Sequence, residues 1–592
     1  MATETSEYRE IDYRFADFLC SLARTEGGDL RRAALRLSSA VGQGDICLDL
    51  FNEAEDGEEC DRLAAALKAS GVVGSPGEYV PLVLDDSRLY LYRYWKYESE
   101  LAEKIIKKAA HRNPVDVPLL RDGIIRLFGP VDDGETDWQR IAAAAAVRSG
   151  FTVISGGPGT GKTSTVVKII ALLLEQSGGD GMRVALTAPT GKAAARLKES
   201  IRGAREQLAD ATPVKDLIPE EVATIHRLLG VIPGSHRFRH HEDNLLPYDV
   251  VVVDEASMVA LPLMARLVAA MAPEARLILL GDRDQLASVE AGAVLGDICD
   301  TESPDGFSPE FCRFIEDTAG EHLEGAETDA PRPPLADSLI FLRKNFRFGS
   351  GSGIGALSRA VNDGEADAAL AILRKGGASG LTWRETPSVE TLEQTLASEV
   401  VAGYVSYLSR DDPAEVLAAF DRFRVLCAVR KGRYGVTGLN MAIERILAEK
   451  GLITPNSGWY RGRPVMVTVN DYALRLFNGD VGITLPDPDN PGSLAVFFPS
   501  AGEGVRKVSP LRVPRHETVF AMTVHKSQGS EFDEILLVAP PYESPVLTRE
   551  LLYTGITRAR TAAGLWCAEE IFSAAVSRRI ERRSGLRKAL KG

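Results

Sequence analysis

The sequence contains no uncharged apolar run of about 18 residues, which argues against a membrane-spanning helix. Its first residues, MATETSEYRE, have neither a basic region nor an apolar stretch, so no secretory leader is expected. Cysteine is scarce. Cys20, Cys47, Cys60, Cys299, Cys312, Cys427 and Cys567 are scattered, odd in number and never spaced as CxxC. This excludes a disulfide framework and a structural zinc motif, and it points to a reducing, cytoplasmic setting. Long internal repeats and sustained heptads are missing too. What remains, 592 residues with 45% hydrophobic and 26% charged, is a globular chain of about three or four domains.

Positive charge is also in deficit, with a net charge of −14. Taken as a sum this speaks against a nucleic-acid partner, but the deficit is local. Residues 301–337 carry ten acidic and two basic side chains, −8 of the −14. Their Pro, Gly and Ser content reads as a loop or linker. Affinity for DNA depends on where Lys and Arg cluster, not on the total.

Residues 1–125 mix amphipathic helical stretches (RFADFLCSLARTEGG, DRLAAALKASGVV) with one strand-like piece, YVPLVLDDSRLYLYRY. From about 137 the pattern changes to short aliphatic runs ending in Gly, Pro or Asp: FTVISGG, RVALTAP, DVVVVDEAS and ARLILLGD. Near-continuous apolar strands of this kind belong to a parallel sheet covered by helices on both faces. The alternation resumes after the acidic segment with RFRVLCAVR, TVFAMTVHKSQG and EILLVAP. Between them, about 455–515 is rich in short strands and turns and reads as a small β-barrel. The expected fold class is α/β, with an N-terminal domain (1–125), a first lobe (126–335) and a second lobe (336–592) carrying the barrel.

The stretch SGGPGTGKTSTVV fits the phosphate-loop pattern GxxxxGK[ST], between a strand and a helix. In Gly156, Gly157, Pro158, Gly159, Thr160, Gly161, Lys162, Thr163 and Ser164, the glycines let backbone N–H groups turn toward phosphate oxygens. The helix N-terminus adds partial positive charge. Lys162 is expected at the β- and γ-phosphates and the Thr163 hydroxyl on Mg²⁺. The run DVVVVDEASM ends in Asp254, assigned to the metal, and Glu255, assigned as general base toward the attacking water. Gln285, after the strand LILLGD, offers an amide suited to the γ-phosphate, although a surface glutamine reads equally well from sequence. These residues specify a Mg²⁺-dependent nucleoside triphosphatase without saying what work it does.

Taken in order, DWQRIAAAAAV, GGPGTGKTSTV, APTGKAAARL, TIHRLLG, DEASM, GDRDQLASVEAGAVLGDI, FRF, TVHKSQGSEFD and YTGITRAR resemble superfamily 1 DNA helicases. More narrowly, LCAVRKGRYGVTGLN and NDYALRLFNGDVGI resemble the RecD (alpha) subunit of bacterial exodeoxyribonuclease V, the RecBCD enzyme. The resemblance runs from about 137 to 567. It implies two RecA-like lobes closing over one ATP, an SH3-like barrel insertion and 5′-to-3′ movement on DNA. It also implies RecB-like and RecC-like partners, with the first 125 residues docking a partner and the nuclease residing in the beta subunit.

By the same resemblance Gln139 recognises adenine, Glu531 lies near the nucleotide, and Arg347 and Arg558 are fingers on the γ-phosphate brought across by the second lobe. Arg560 is left as a neighbouring structural cation. Thr190, Lys192, Thr224, His226, Asn470, Asn478, Thr523, His525 and Lys526 fall at DNA-contacting positions. Without that frame Gln139 reads as a helix-surface residue, His226 as a core histidine and Asn478–Gly479 as a hairpin turn. The basic and aromatic stretch 231–249 is expected to form a strand-separating hairpin, or else a plain surface hairpin. The tail SRRIERRSGLRKALKG reads as a solvated basic end, and Asp487 and Asp489 as a proline-rich turn. A free-standing helicase of the longer RecD-like branch, or an ATPase loader without unwinding, are the competing functions.

Overall fold

The computed structural model describes residues 8–24, 28–130, 134–178, 181–208, 214–301, 306–323, 332–349, 351–376, 380–455, 458–471, 473–500 and 504–591. Its first lobe is built on a six-stranded sheet in the order Leu339–Phe341, Phe151–Ser155, Arg276–Gly281, Val250–Val253, Val184–Ala188, Val222–Thr224. Every pairing in it is parallel. The four central runs are those anticipated. They are mainly aliphatic because both faces are covered, and Val250–Val253 is fully buried. The helix Trp138–Arg148 covers one face. Its alanine run, buried throughout, lets it lie close against the phosphate-loop helix Lys162–Gln176.

The second lobe is a five-stranded, all-parallel sheet in the order Leu381–Arg384, Ala559–Trp566, Phe532–Val538, Phe423–Cys427, Ala521–Thr523. Ala559–Trp566 escapes notice in the sequence because alanine and glycine carry little strand signal. The glycine has a packing reason: a Cβ on Gly564 would stand 3.1 Å from Thr382 Oγ1.

The insertion is a five-stranded antiparallel sheet ordered Val505–Val508, Leu494–Pro499, Val481–Pro486, Pro464–Val467, His516–Thr518. It ends at 518, slightly beyond the expected span. Among the described residues no strand pairing joins its two outer strands, and the insertion expected as a small β-barrel is, in its pairing, a five-stranded antiparallel sheet made of a meander with one added strand. Asp487 and Asp489 lie on its turn, both ion-paired with Lys507, at 2.8 and 2.5 Å.

Three further expectations are corrected. The strand-like piece near 79–94 is two antiparallel strands, Leu82–Asp85 and Arg88–Leu91, reversed at Asp86 (φ +49°) and followed by the helix Tyr92–Ala110. They belong to a four-stranded sheet. The acidic segment, of which 302–305 and 324–331 lie outside the described residues, is not simply a linker. It contains the helix Pro309–Ala319, capped by Ser308, with Phe311 and Ile315 in the first lobe's core. The following strand, Leu339–Phe341, still belongs to the first sheet, past the boundary expected at 335.

The basic tail is not a solvated end. Leu586 and Leu590 are buried among Tyr94, Leu101 and Ile105 of the Tyr92–Ala110 helix. The Ser584 hydroxyl and Gly585 N–H donate to the buried Glu98 carboxylate at 2.8 and 3.0 Å, and Ile46 N–H donates to the Arg583 carbonyl. The Tyr92–Ala110 helix is itself joined to the first lobe, since its Lys108 ammonium donates to the carbonyls of Ala272 and Ala275. The chain therefore returns from the second lobe to the first.

Candidate functional site

The phosphate loop joins the strand Phe151–Ser155 to the helix Lys162–Gln176. Gly159 and Gly161 adopt φ of +85° and +81°, a region L-side chains avoid. Space excludes them as well: a Cβ on Gly159 would stand 2.4 Å from Arg347 Cβ, and one on Gly161 2.4 Å from Gln139 Nε2. The Lys162 ammonium donates to the carbonyls of Gly156 and Gly157, at 2.5 and 3.1 Å, and so sits over the loop.

Gln139 is at the start of the Trp138–Arg148 helix, and its side-chain nitrogen donates to the Thr160 carbonyl at 3.0 Å. It lines a cavity of about 400 Å³ with Trp138, Arg343 and Phe346, whose ring is 62% exposed although aromatic. The recess mixes the aromatic side chains Phe128, Trp138 and Phe346 with charged ones such as Asp137, Arg343 and Lys344, and the Gln139 amide in it suits the polar edge of a planar base.

Asp254 and Glu255 follow the strand Val250–Val253. Burial and the adjacent Glu255 charge push the Asp254 carboxyl up to about 6, against the pull of Lys162. Glu255 has φ +51°, a strained position for a non-glycine residue and one characteristic of functional sites. A cation beside Asp254 would offset the causes that raise its pKa. Its carboxylate and the Thr163 hydroxyl are hard oxygen donors, so this pair fits Mg²⁺. Gln285 is buried, and its amide donates to Asp282 Oδ2 at 3.0 Å.

Arg347 is not carried by the body of the second lobe. It lies just past the strand Leu339–Phe341, in a segment fastened to the phosphate loop. Phe346 N–H donates to the Gly159 carbonyl, and the Asn345 side chain to the Pro158 carbonyl, both at 2.8 Å. Arg558 does come from the second lobe. It is 1% exposed and held by the carbonyls of Thr554 (3.0 Å) and Ser530 (3.2 Å). Burial lowers its pKa while the charge of Glu255 opposes the shift, so the two groups share one electrostatic neighbourhood.

Glu531 is the point where the cations meet. Its carboxylate pairs with Arg347 at 2.6 Å, with Arg560 at 3.3 Å and with Arg196 of the first lobe. Burial works against its charge, yet Arg196 and Arg347 hold the carboxyl at about 2. In this structure it thus engages three arginines. A carboxyl lowered from its ordinary 4.5 contributes stability above that value and loses it as pH falls toward 2. Thermal melts from about pH 5 to about pH 3 are expected to fall less steeply for Glu531→Gln than for the wild-type chain. Parallel pH slopes would count against the contribution.

A groove of about 1250 Å³ separates the first lobe from the insertion. Thr190, Thr224, His226, Asn470 and Asn478 all line it, together with Arg239, Arg475, Phe477 and Arg506, which sequence reasoning missed. Thr190 and Thr224 share a local device: each caps a helix, accepting from Ala193 N–H and Arg227 N–H at 3.2 Å. Such a cap contributes about 1 kcal/mol and points free N–H groups outward, an arrangement suited to phosphate. Thr523 repeats the cap with Lys526 N–H at 3.3 Å, and the Lys526 ammonium reaches Asn478 Oδ1 at 2.9 Å. Asn478–Gly479 is also a turn, closed by Asp480 N–H to the Phe477 carbonyl with Gly479 at φ +98°. Asn478 therefore lies at once in a tight turn and on the groove wall.

Four expected residues, Lys192, Thr523, His525 and Lys526, are not among the groove's lining residues, although Lys526 touches the lining residue Asn478. Burial lowers the Lys192 pKa, with Asp421 the strongest opposing charge, and burial lowers that of His525 with a further push from Arg582. His226 is part structural, its ring edge-on to Phe238 at 5.8 Å. The stretch 231–249 forms a looped excursion pinned by two isolated bridges, Val231 to Phe238 and His241 to Asn244, rather than a regular hairpin.

Residues 139–291 match a model described as an AAA domain, 518–566 a UvrD-like helicase C-terminal domain, and 4–63 the RecBCD enzyme subunit RecD, N-terminal domain. The chain is 39% identical to the RecBCD enzyme subunit RecD of Mycolicibacterium smegmatis, over 98% of this chain and 97% of that protein. It is 31% identical to the ATP-dependent RecD2 DNA helicase of Deinococcus radiodurans, over 69% of this chain but 46% of that one. A crystal structure of Pif1 helicase from Bacteroides with ADP-AlF3 and single-stranded DNA aligns with a TM-score of 0.35 at 17% identity, covering 71% of this chain and 90% of the other.

Proposed function

This chain belongs to the RecD family of RecBCD enzyme subunits, and on that premise we propose that it moves 5′ to 3′ along single-stranded DNA, opening duplex ends for recombinational repair of double-strand breaks. It is an ATP-dependent DNA helicase. Its partners are RecB-like and RecC-like subunits, its setting the cytoplasm. Coverage of nearly the whole of a RecBCD subunit, against under half of the RecD2 helicase, favours the assembled enzyme over a free-standing motor.

One observation carries the motor reading. Within a single polypeptide, Glu531 of the second lobe holds Arg196 of the first and Arg347 beside the phosphate loop. Closure of the cleft and the state of its anion are therefore linked, because a γ-phosphate competes with Glu531 for the same guanidinium groups. A loader without unwinding would not need that link in one chain.

ATP is the substrate. Lys162 steadies its β- and γ-phosphates, Gln139 reads the adenine edge and Glu255 accepts the proton of the attacking water. Thr163 and Asp254 would hold Mg²⁺, which would supply charge neutralisation to the phosphates. Arg558 and Arg347 meet the charge that develops on the γ-phosphate. In the groove, capped helix ends and basic side chains hold phosphates and Phe477 offers a face to a base, which supports binding without sequence preference. The 231–249 excursion beside it is the strand-separating wedge.

Forked DNA with either a 5′ or a 3′ tail tests the reading. Unwinding is expected only with the 5′ tail, and deletion of 236–242 is expected to abolish it while DNA-stimulated ATP hydrolysis continues. Unwinding that demands the 3′ tail would overturn the polarity, and unwinding unchanged by the deletion would overturn the wedge.

A further inference from the structure

Tyr553 belongs to the second lobe's helix Arg549–Ile556, yet its hydroxyl donates to Asp282 Oδ2 of the first lobe at 2.9 Å. The same oxygen receives the Gln285 side-chain amide at 3.0 Å, and Asp282 Oδ1 receives Asp284 N–H at 3.1 Å. Tyr553, Asp282 and Gln285 are all buried. They adjoin the phosphate loop. Gly156 N–H donates to the carbonyl of Gly281, the residue before Asp282, and a Cβ on Gly157 would stand 2.8 Å from the Tyr553 hydroxyl.

The chemistry fixes how the glutamine is turned. An ionised carboxylate accepts only, so Gln285 must present its nitrogen to Asp282; the reverse would set oxygen against oxygen. The Gln285 oxygen, Oε1, is consequently left buried with no hydrogen-bond partner among the described residues. A buried acceptor in that condition calls for a donor, and in a hydrolytic site water is the available one. The loop is bolted to the second lobe at two more points. Leu286 N–H donates to Thr554 Oγ1 at 2.9 Å, and the Gln528 amide donates to the Leu286 carbonyl at 2.8 Å. The orientation of Gln285 therefore depends on a residue of the opposite lobe.

We propose that Tyr553 is a positioning residue for ATP hydrolysis: by holding Asp282 it fixes Gln285 with its oxygen toward the attacking water, so the second lobe must be docked before that water is oriented. In this role Tyr553 acts through Asp282 and Gln285. The inference rests on Gln285 acting at the γ-phosphate, as read above. It makes the second lobe contribute to hydrolysis twice, by the charge of Arg558 and by the aim of Gln285.

Steady-state ATP hydrolysis by the full-length chain at saturating single-stranded DNA tests it, with Tyr553→Phe, Gln285→Ala and the double variant. Tyr553→Phe is expected to lower kcat roughly tenfold while KM for ATP stays within about twofold. The double variant is expected to be no slower than Gln285→Ala alone, because Tyr553 acts through Gln285. The thermal midpoint and ADP affinity of Tyr553→Phe are expected to match wild type. A fall in either, an unchanged kcat, or a double variant as slow as the product of the singles overturns the relay. An inert Tyr553→Phe beside a crippled Gln285→Ala overturns the relay alone, whereas wild-type turnover by Gln285→Ala overturns the role of Gln285 as well.

Discussion

Replacing Lys162 with glutamine is expected to lower ATP turnover by about three orders of magnitude and to abolish unwinding, while single-stranded DNA is still bound. The reason lies in how the side chain is held. Its ammonium rests on the Gly156 and Gly157 carbonyls of the loop that wraps the phosphates. The substituted amide keeps the hydrogen-bonding shape but loses the charge, and charge is what a transferring phosphoryl group requires. The groove proposed to hold DNA shares none of these residues, since its lining comes from the Thr190 and Thr224 loops, the 231–249 excursion and the insertion. Measured together, kcat for ATP, strand displacement and DNA affinity separate the engine from the grip. Turnover within tenfold of wild type would refute the assignment of this loop as the hydrolytic cradle.

Arg558→Lys is expected to cost about 10³-fold in kcat with little change in KM for ATP. Lysine retains the positive charge, so the loss isolates geometry. Arg558 is buried and spends two of its nitrogens on the Thr554 and Ser530 carbonyls, which aims the rest of a rigid planar fork. A lysine cannot satisfy both carbonyls and an anion from one atom. Alanine would add a confounding loss of stability, because those carbonyls would lose their donor. Pre-steady-state and steady-state turnover, with melting temperature as a control, distinguish the effects. An Arg558→Lys enzyme of normal kcat and normal melting would remove this side chain from the transition state.

What the sequence discloses are positions where local backbone demands restrict residue type. The phosphate loop is legible because positive φ and close packing admit only glycine at 159 and 161. The threonines at 190, 224 and 523 stand out because each begins a helix after a strand. The central strands reveal themselves through burial on both faces. What stays hidden depends on partners far apart in the chain. Nothing in APTGKAAARL says that Arg196 will meet Glu531, and Tyr553 lies in a buried run whose hydroxyl acquires meaning only once Asp282 is opposite. Composition misleads at the two charged segments. Phe311 and Ile315, then Leu586 and Leu590, each form a four-residue apolar spacing that suffices to bury a helix despite the charge around it.

The return of the carboxyl-terminal segment to the Tyr92–Ala110 helix has a kinematic consequence. The second lobe is tethered to the first at two places, by the stretch that leaves Leu339–Phe341 and by the stretch that reaches Leu586. A body attached at both of its ends has fewer ways to move than one attached at a single end, so the opening of the cleft is restricted by chain continuity as well as by the contacts across it.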